Sequence, residues 1–498
     1  MSGWQAVRPG RAGRAGRAAR GMLGSMSSAG RVATYVLPAA SMALAAAVIL
    51  GPGAPRMAAG VRIWGLPVEG SEALALRIEA ARRQHGVEDA TALEGLEVTA
   101  TAGGAPLGRW AGSTGPGGIA EALVVVAPAP GGLRAPLRVR VGQAGGAVML
   151  DEELALGPAV ASPSGSAGGA AVPGVAQGAL RLQVEVARGV LAAPFRGTLR
   201  VQVRTEGGAP VAGARLEARA EGADLVEAGA GALATEETDA GGLAEIGITP
   251  RGHLVEVALT ATTRAGGAGG AGETGRWEGT LPVVPGAIWV DPAVAPAGGG
   301  ARLRLVSPAP RSEAYVSLLN GTRGRVRGAV VPLAADGAGF FVGELALEPG
   351  LGGPLWAVVA GDPFEQGAGT VAWPLEAGSS AAPPRPGRVA LLADGLPAAE
   401  AREQARAARA RRAGLAVVGA AALAEALLVL ALARKARRRL AAHLAEASAD
   451  EARGAPIPEA DRARILASAR AEPALWALTL AALCAFGFAA VAALATFR

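Results

Sequence analysis

Three histidines, one cysteine and one glycine-rich run are where this 498-residue chain could do chemistry. A metal centre needs His, Cys, Asp or Glu side chains converging from closely spaced positions. His85, His253 and His443 stand far apart, and none has a cysteine beside it. Cys484 lies inside an apolar run, so no intrachain disulfide can form. A serine nucleophile of the elbow type would show its glycine-flanked motif, which is missing. Gly267-Ala-Gly-Gly-Ala-Gly272 fits the G-x-G-x-x-G spacing, but Glu273-Thr-Gly-Arg-Trp277 leads it into a strand. A dinucleotide pyrophosphate needs a helix N-terminus at that point. No G-K-[ST] phosphate loop follows elsewhere. These residues offer no catalytic, cofactor-binding or metal-ligating set, and the chain reads as a non-enzyme without cofactors.

Two further positions invite chemistry. Asn320-Gly321-Thr322 is formally a glycosylation acceptor, yet Asn-Gly supplies two positive φ angles and reads better as a type I′ hairpin turn between strands near 314–319 and 322–326. Glu425 sits in the middle of Ala413–Ala433, AGLAVVGAAALAEALLVLALA. A carboxylate among such residues in a bilayer is costly unless it is protonated or faces a partner. Two readings stay open there: a tolerated, protonated glutamate, or an intramembrane contact with Thr479 or with another subunit.

The elements around Glu425 set its context. Ala413–Ala433 has 21 residues, close to the ~20 that a helix needs to cross a bilayer core. Val32–Leu50 and Ala474–Phe497 are apolar as well, the last opened by Pro473. About three transmembrane helices are therefore expected, at 32–50, 413–433 and 473–497. Segment 32–50 reads either as a cleaved signal peptide or as an uncleaved signal anchor. The anchor fits better, because the basic arm is long and no clean small-x-small site follows.

Charge gives the topology. Residues 1–31 carry six arginines and no acid, and residues 398–498 carry 15 basic against nine acidic groups. The 366 residues between hold 27 basic and 33 acidic groups. A nucleic-acid binder concentrates positive charge on its folded domain, and here the excess flanks the apolar segments instead. Arg14, Arg17, Arg20 and Arg31 hold the N-terminal arm in the cytoplasm, and Arg434, Lys435, Arg437, Arg438 and Arg439 do the same for the loop 434–472. Residues 56–412 then face the exterior or periplasm of a bacterial inner membrane. The expected partners are the lipid bilayer and an envelope protein or polysaccharide, with homo- or hetero-oligomers through the membrane helices, and no nucleic acid.

The large exterior region reads as β. Leu74–Ile78, Leu96–Thr101, Leu137–Val141, Leu180–Val186, Leu243–Ile248 and Arg302–Val306 alternate apolar and polar residues between Gly/Pro clusters. The expected organisation is a disordered basic arm at 1–31, a β-sandwich at 57–156, a linker at 157–178, a second sandwich at 179–275 and a third β domain at 276–375. A linker at 376–397 and a juxtamembrane helix at 398–412 lead to the apolar segment. Thr114-Gly-Pro-Gly-Gly-Ile-Ala-Glu121 matches Thr238-Asp-Ala-Gly-Gly-Leu-Ala-Glu245 at six of eight positions, counting Ile and Leu alike. Each copy lies behind a Gly-Ala-Pro-[Leu/Val] turn, Gly104–Leu107 and Gly208–Val211, which points to duplicated domains.

Gly208-Ala-Pro-Val-Ala-Gly-Ala-Arg-Leu216 followed by Thr238-Asp-Ala-Gly-Gly-Leu-Ala244 resembles bacterial immunoglobulin-like domains: invasin/intimin-type repeats, macroglobulin-type domains and carboxypeptidase-regulatory-like domains. The resemblance is clear over 179–263, weaker over the first region and slight over the third. It implies antiparallel Ig-like β-sandwiches serving as spacers or adhesion modules. The macroglobulin thioester needs an exterior cysteine, which is missing here, so that chemistry does not carry over. The sequence thus points to a mainly β ectodomain of two or three antiparallel Ig-like β-sandwiches, plus about three transmembrane α-helices. Its expected role is that of an envelope protein with structural, adhesive or protein-binding function. The alternative is a signalling or assembly subunit with a sensing ectodomain and a short cytoplasmic loop.

Overall fold

Strict apolar–polar alternation places one face of a strand in a core, and Leu180–Val186 (LRLQVEV) and Leu137–Gln143 (LRVRVGQ) follow it residue by residue. The computed structural model describes residues 56–126, 132–158, 171–226, 233–264, 272–291, 302–320, 324–347, 355–375 and 389–449, position 147 excepted, with isolated positions inside 40–47 and 458–467. Two units are distinct, and Ala58–Ala399 holds every strand among the described residues.

The first sandwich uses β1 (Ala58–Gly65), β2 (Ala73–Gln84), β3 (Val87–Ala90), β4 (Leu96–Ala102), β5 (Ala105–Gly112), β6 (Ile119–Val125), β7 (Leu137–Gln143) and β8 (Val148–Leu154). The second uses β9 (Gly174–Gly178), β10 (Leu180–Val186), β11 (Leu191–Ala192), β12 (Gly197–Thr205), β13 (Arg215–Glu221), β14 (Ala223–Leu225), β15 (Leu233–Glu237), β16 (Leu243–Pro250), β17 (Leu254–Thr262) and β18 (Thr274–Val284). The third uses β19 (Trp289–Val290), β20 (Arg302–Ser307), β21 (Glu313–Asn320), β22 (Gly324–Pro332), β23 (Ala334–Ala335), β24 (Phe341–Ala346), β25 (Leu355–Ala360) and β26 (Val371–Pro374). A last strand, β27 (Ala390–Asp394), pairs with β1 of the first sandwich.

One strand order recurs three times. The orders β1-β2-β6, β10-β12-β16 and β19-β20-β24 each face a sheet ordered β5-β4-β7-β8, β15-β13-β17-β18 or β22-β21-β25-β26. These pairings are antiparallel, and the arrangement is that of an Ig-like sandwich. Each sandwich closes over its own core, built around Leu76, Ile78 and Val139, around Val201, Ile246 and Leu259, and around Leu305, Val316 and Trp373. The third region, for which the resemblance was slight, therefore has the same topology as the other two.

The eight-residue repeat is a structural repeat as well. Gly115 N–H donates to Ile119 O and Gly118 N–H to Gly115 O; Asp239 N–H donates to Leu243 O and Gly242 N–H to Asp239 O. The Thr114 hydroxyl accepts from Leu93 N–H and donates to Thr91 O, and the Thr238 hydroxyl accepts from Ala214 N–H and donates to Val211 O. Gly118 and Gly242 hold φ of 76° and 72°, a region that favours glycine. A third copy stands at Asp336–Phe340, where Asp336 N–H donates to Phe340 O and Gly339 has φ 95°. The Gly-Ala-Pro turns are not equivalent, however. Gly104 follows β4, whereas Gly208 follows β12 and has its counterpart in the His85-Gly86 turn between β2 and β3.

Several boundaries differ from expectation. β18 pairs with β17 along its length, so the second sandwich ends after Val284 and not at 275. β9 and β27 lie inside the expected linkers, since each completes a sheet edge. Asn320 is the last residue of β21, paired opposite Gly324 and buried, so Asn-Gly is not a two-residue hairpin turn.

A 54-residue helix, α1, runs from Leu396 to Ala449. Pro397 sits in its first turn and no proline recurs until Pro456, so the arginine-rich flanks of Ala413–Ala433 are helical too. The expectation of about three transmembrane helices finds no support among the described residues, where no helix is long and apolar enough to cross a membrane. Segment 473–497 lies outside the described residues and 32–50 nearly so. Ala413–Ala433 is inside α1, with some of its side chains outside the described residues.

Candidate functional site: a buried charge cluster

β2 and β21 are among the strands that break the alternation by being buried on both faces. β2 sends Leu74, Leu76, Ile78 and Ala80 into the first core, leaving Ala75, Arg77, Glu79 and Ala81 on the opposite face. β21 sends Ala314, Val316 and Leu318 into the third core and leaves Tyr315, Ser317 and Leu319 opposite. These outer faces meet, and Arg77 and Arg325 are both fully enclosed between them.

Arg77 donates from Nε to Glu121 Oε1 at 2.6 Å, and from Nη1 to Pro363 O at 2.5 Å and Glu365 Oε1 at 3.0 Å. Its guanidinium also lies 5.5 Å from the centre of the Tyr315 ring. Arg325 donates from Nη2 to Glu121 Oε2 at 2.7 Å and from Nε to the Ser317 hydroxyl at 2.9 Å. The Ser317 hydroxyl in turn donates to Glu365 Oε1. Glu121 thus bridges the two arginines through its two oxygens, and two cations balance two anions. Arg325 Nη1 and Glu365 Oε2 are buried without a hydrogen-bond partner. Burial opposes the charge on Arg77, but Glu121 and Glu365 outweigh it and raise its pKa.

Local structure explains how Glu365 reaches the cluster. Asp362 Oδ1 accepts from Phe364 N–H and Gln366 N–H, and Oδ2 accepts from Gly367 N–H. That cap curls the loop between β25 and β26 and holds Glu365 at φ 56°, a left-handed value uncommon outside glycine. Phe364 then packs on Trp64 with ring centres 4.9 Å apart. A Cβ on Gly328 would collide with Arg325 Nη2 and Glu121 Oε2, so β22 approaches only because that residue is glycine.

A second junction joins the other pair of sandwiches. The Arg188 guanidinium stacks 4.7 Å from the Trp289 ring centre and 4.5 Å from that of Trp373, and Nη1 donates to Val290 O at 2.7 Å. Burial pulls its pKa down to about 10, with Asp291 acting against the shift. Phe195 stacks on Trp289 at 5.4 Å.

Chemically, the cluster is a clamp: its acids and bases are spent on one another, and the Ser317 hydroxyl is enclosed with them, donating to Glu365 and accepting from Arg325. Among the described residues no group of three or more His, Cys, Asp or Glu is placed to hold a metal ion. The residues singled out by sequence lie elsewhere. Arg434, Lys435, Arg437, Arg438 and Arg439 are exposed on α1; Glu425 is in α1 with its side chain outside the described residues. Arg14, Arg17, Arg20, Arg31 and Thr479 also lie outside them. Sequence reasoning did not reach Arg77, Arg325 or Glu365. The available signal was the near-continuous apolar run of β21 (EAYVSLLN), too apolar for a strand with one wet face.

No protein-family model matches the chain, and no curated protein does. Among solved structures, native alpha-2-macroglobulin from E. coli is similar over 61% of this chain and 22% of its own, at 12% identity and a TM-score of 0.17. The D00-D0 domain of intimin is similar over 45% of this chain and 99% of its own, at 12% identity and a TM-score of 0.16. Invasin, a bacterial integrin-binding protein, is similar over 61% of this chain and 56% of its own, at 13% identity and a TM-score of 0.16. The chain spans about a quarter or less of the macroglobulin structures it matches. With TM-scores of this size, the sandwich assignment rests on the strand order and pairing of this chain alone.

Proposed function

We propose that this chain is a non-enzymatic, membrane-anchored envelope protein that presents three Ig-like sandwiches outside the cytoplasm to a protein or polysaccharide partner. The observation that carries the reading is the surface of α1 between Ala413 and Ala433. Leu415, Val417, Leu423, Leu427, Leu428 and Leu430 are all exposed there, Leu423 at 63% and Leu427 at 60%. At about 100° per residue these side chains spread over well more than half of the helix circumference. An apolar stripe facing a protein core is narrower, whereas a helix apolar nearly all round belongs in lipid or a large core. Arginines close both ends of the stretch, where they suit a membrane–water boundary. The clamp supports a presenting role, because it sets the first and third sandwiches in one fixed register.

Two measurements test the reading on the full chain. Membranes washed with alkaline carbonate should retain the protein, and a reporter fused at Ser164 should be active only as an exported, periplasmic enzyme. Release into the wash, or activity of a cytoplasm-only reporter at Ser164, overturns it.

A further inference from the structure

The start of α1 is tied to the clamp by an unbroken line of contacts through the first sandwich. Trp64 and Arg77 are direct cross-strand partners on β1 and β2. Phe364, beside the clamp residue Glu365, packs on Trp64, and the Trp64 indole donates to Glu79 Oε2 at 3.2 Å. Glu79 Oε1 stands 3.5 Å from Arg62 Nη1, and Arg62 Nε stands 3.3 Å from Asp394 Oδ2. Arg62 Nη2 also donates to Glu88 Oε1 at 2.8 Å. The other Asp394 oxygen, Oδ1, accepts from Leu396 N–H at 2.9 Å and so caps the first turn of α1. Leu396 is fully buried, and a Cβ added at Gly60 would strike it.

The pairing along this line has a weak point. β27 joins β1 with a register shift between Ile63 and Trp64, at the residue on which Phe364 presses. β27 is short, and Ala390 and Leu391 are exposed. A bulged, five-residue edge strand paired at four positions has few ladder bonds to lose.

We propose that the contact between the first and third sandwiches is a latch that controls β27 and the cap of α1: closed, it holds Trp64, Glu79, Arg62 and Asp394 in line; opened, it releases the strand and the helix start. The geometry gives the sandwiches a route to the helix, which a passive spacer does not need. The inference stands whether or not α1 lies in a bilayer.

Hydrogen exchange on the full chain in detergent tests it. Phe364→Ala removes the ring from Trp64 while leaving every buried charge in place. Exchange of residues 361–370 should accelerate, and that of 390–399 should accelerate with it by roughly tenfold, about 1.4 kcal/mol of local stability. Residues 215–262 of the second sandwich should keep their wild-type rate. Glu79→Gln interrupts the line at its middle, so adding Phe364→Ala to it should accelerate 390–399 by clearly less than tenfold. Arg77→Lys, which keeps the charge but loses the fork, should act like Phe364→Ala. Loosening of 361–370 with 390–399 unchanged overturns the proposal, and so does full additivity of Glu79→Gln and Phe364→Ala.

Discussion

Arg77 and Glu365 are 288 positions apart in the chain, yet Nη1 of one stands 3.0 Å from Oε1 of the other with neither side chain exposed. Such a pair contributes little net stability, because desolvation of both ions offsets their attraction, but removing one partner strands the other. Arg77→Met should therefore cost about 3–5 kcal/mol, and Glu365→Leu a similar amount. The double variant should cost clearly less than the two together, since it leaves no lone charge at that contact. Calorimetry of the full chain would show this in the transitions of the first and third sandwiches. Additive losses would mean that the two side chains do not act as a pair.

Glycine at the repeated turn carries a second expectation. At Gly242 the backbone has φ 72°, and a Cβ would also collide with Val203 O; at Gly208 φ is 83° but nothing lies within 4 Å. Alanine at Gly208 should cost the left-handed penalty alone, about 1–2 kcal/mol. Alanine at Gly242 should cost that and the displacement of a ladder carbonyl. The measured quantity is the shift in the second sandwich's unfolding transition. Equal shifts for Gly208→Ala and Gly242→Ala would remove the steric half of the argument.

The sandwiches were legible because their signals are local. Alternation in β7 and β10, the glycines of the Thr114 and Thr238 turns, and the matching Glu121 and Glu245 all follow from nearest neighbours along or across a hairpin. The clamp was not legible, and Glu121 shows why. Its repeat counterpart Glu245 makes a partly exposed cross-strand pair with Arg200, just as Glu121 pairs with Arg77. The same local pattern is a solvated pair in one sandwich and a buried bridge in the other. The difference lies in Arg325 and Glu365, whose arrival depends on the packing of two sheets and on a capped loop with a left-handed glutamate. The third copy of the turn was hidden differently: Asp336 keeps the cap, but the threonine and most apolar residues around it have changed.

Thr238 and Thr114 should matter more than surface threonines. Each hydroxyl accepts one backbone N–H and donates to one backbone carbonyl, at 2.9 and 2.7 Å for Thr238. Both residues are buried. Valine at either position keeps the shape and leaves two main-chain groups unpaired, at about 1–3 kcal/mol. Thr238→Val should lower the unfolding temperature of the second sandwich and Thr114→Val that of the first, each leaving the other transition in place. Serine, which restores both bonds, should recover most of the loss.

Tyr315 gives the clamp an alkaline signature. Burial pushes its phenol up to about 12, reinforced by the hydrogen bond to Glu313 and opposed by Arg77. An unfolded tyrosine ionises near 10. The folded state thus favours the protonated phenol, and that contribution to stability is fully present below pH ~10 and lost as pH rises through ~12. The chain has two tyrosines, so subtracting the ultraviolet titration of Tyr315→Phe from that of the wild type isolates the buried one. The difference curve should have its midpoint near 12, and wild-type stability should fall more steeply between pH 10 and 12 than that of the variant. Arg77→Met takes away the cation that favours the phenolate, so it should move the midpoint further up. A difference curve centred near 10 would mean that the phenol is wet and that the sheets do not close over it.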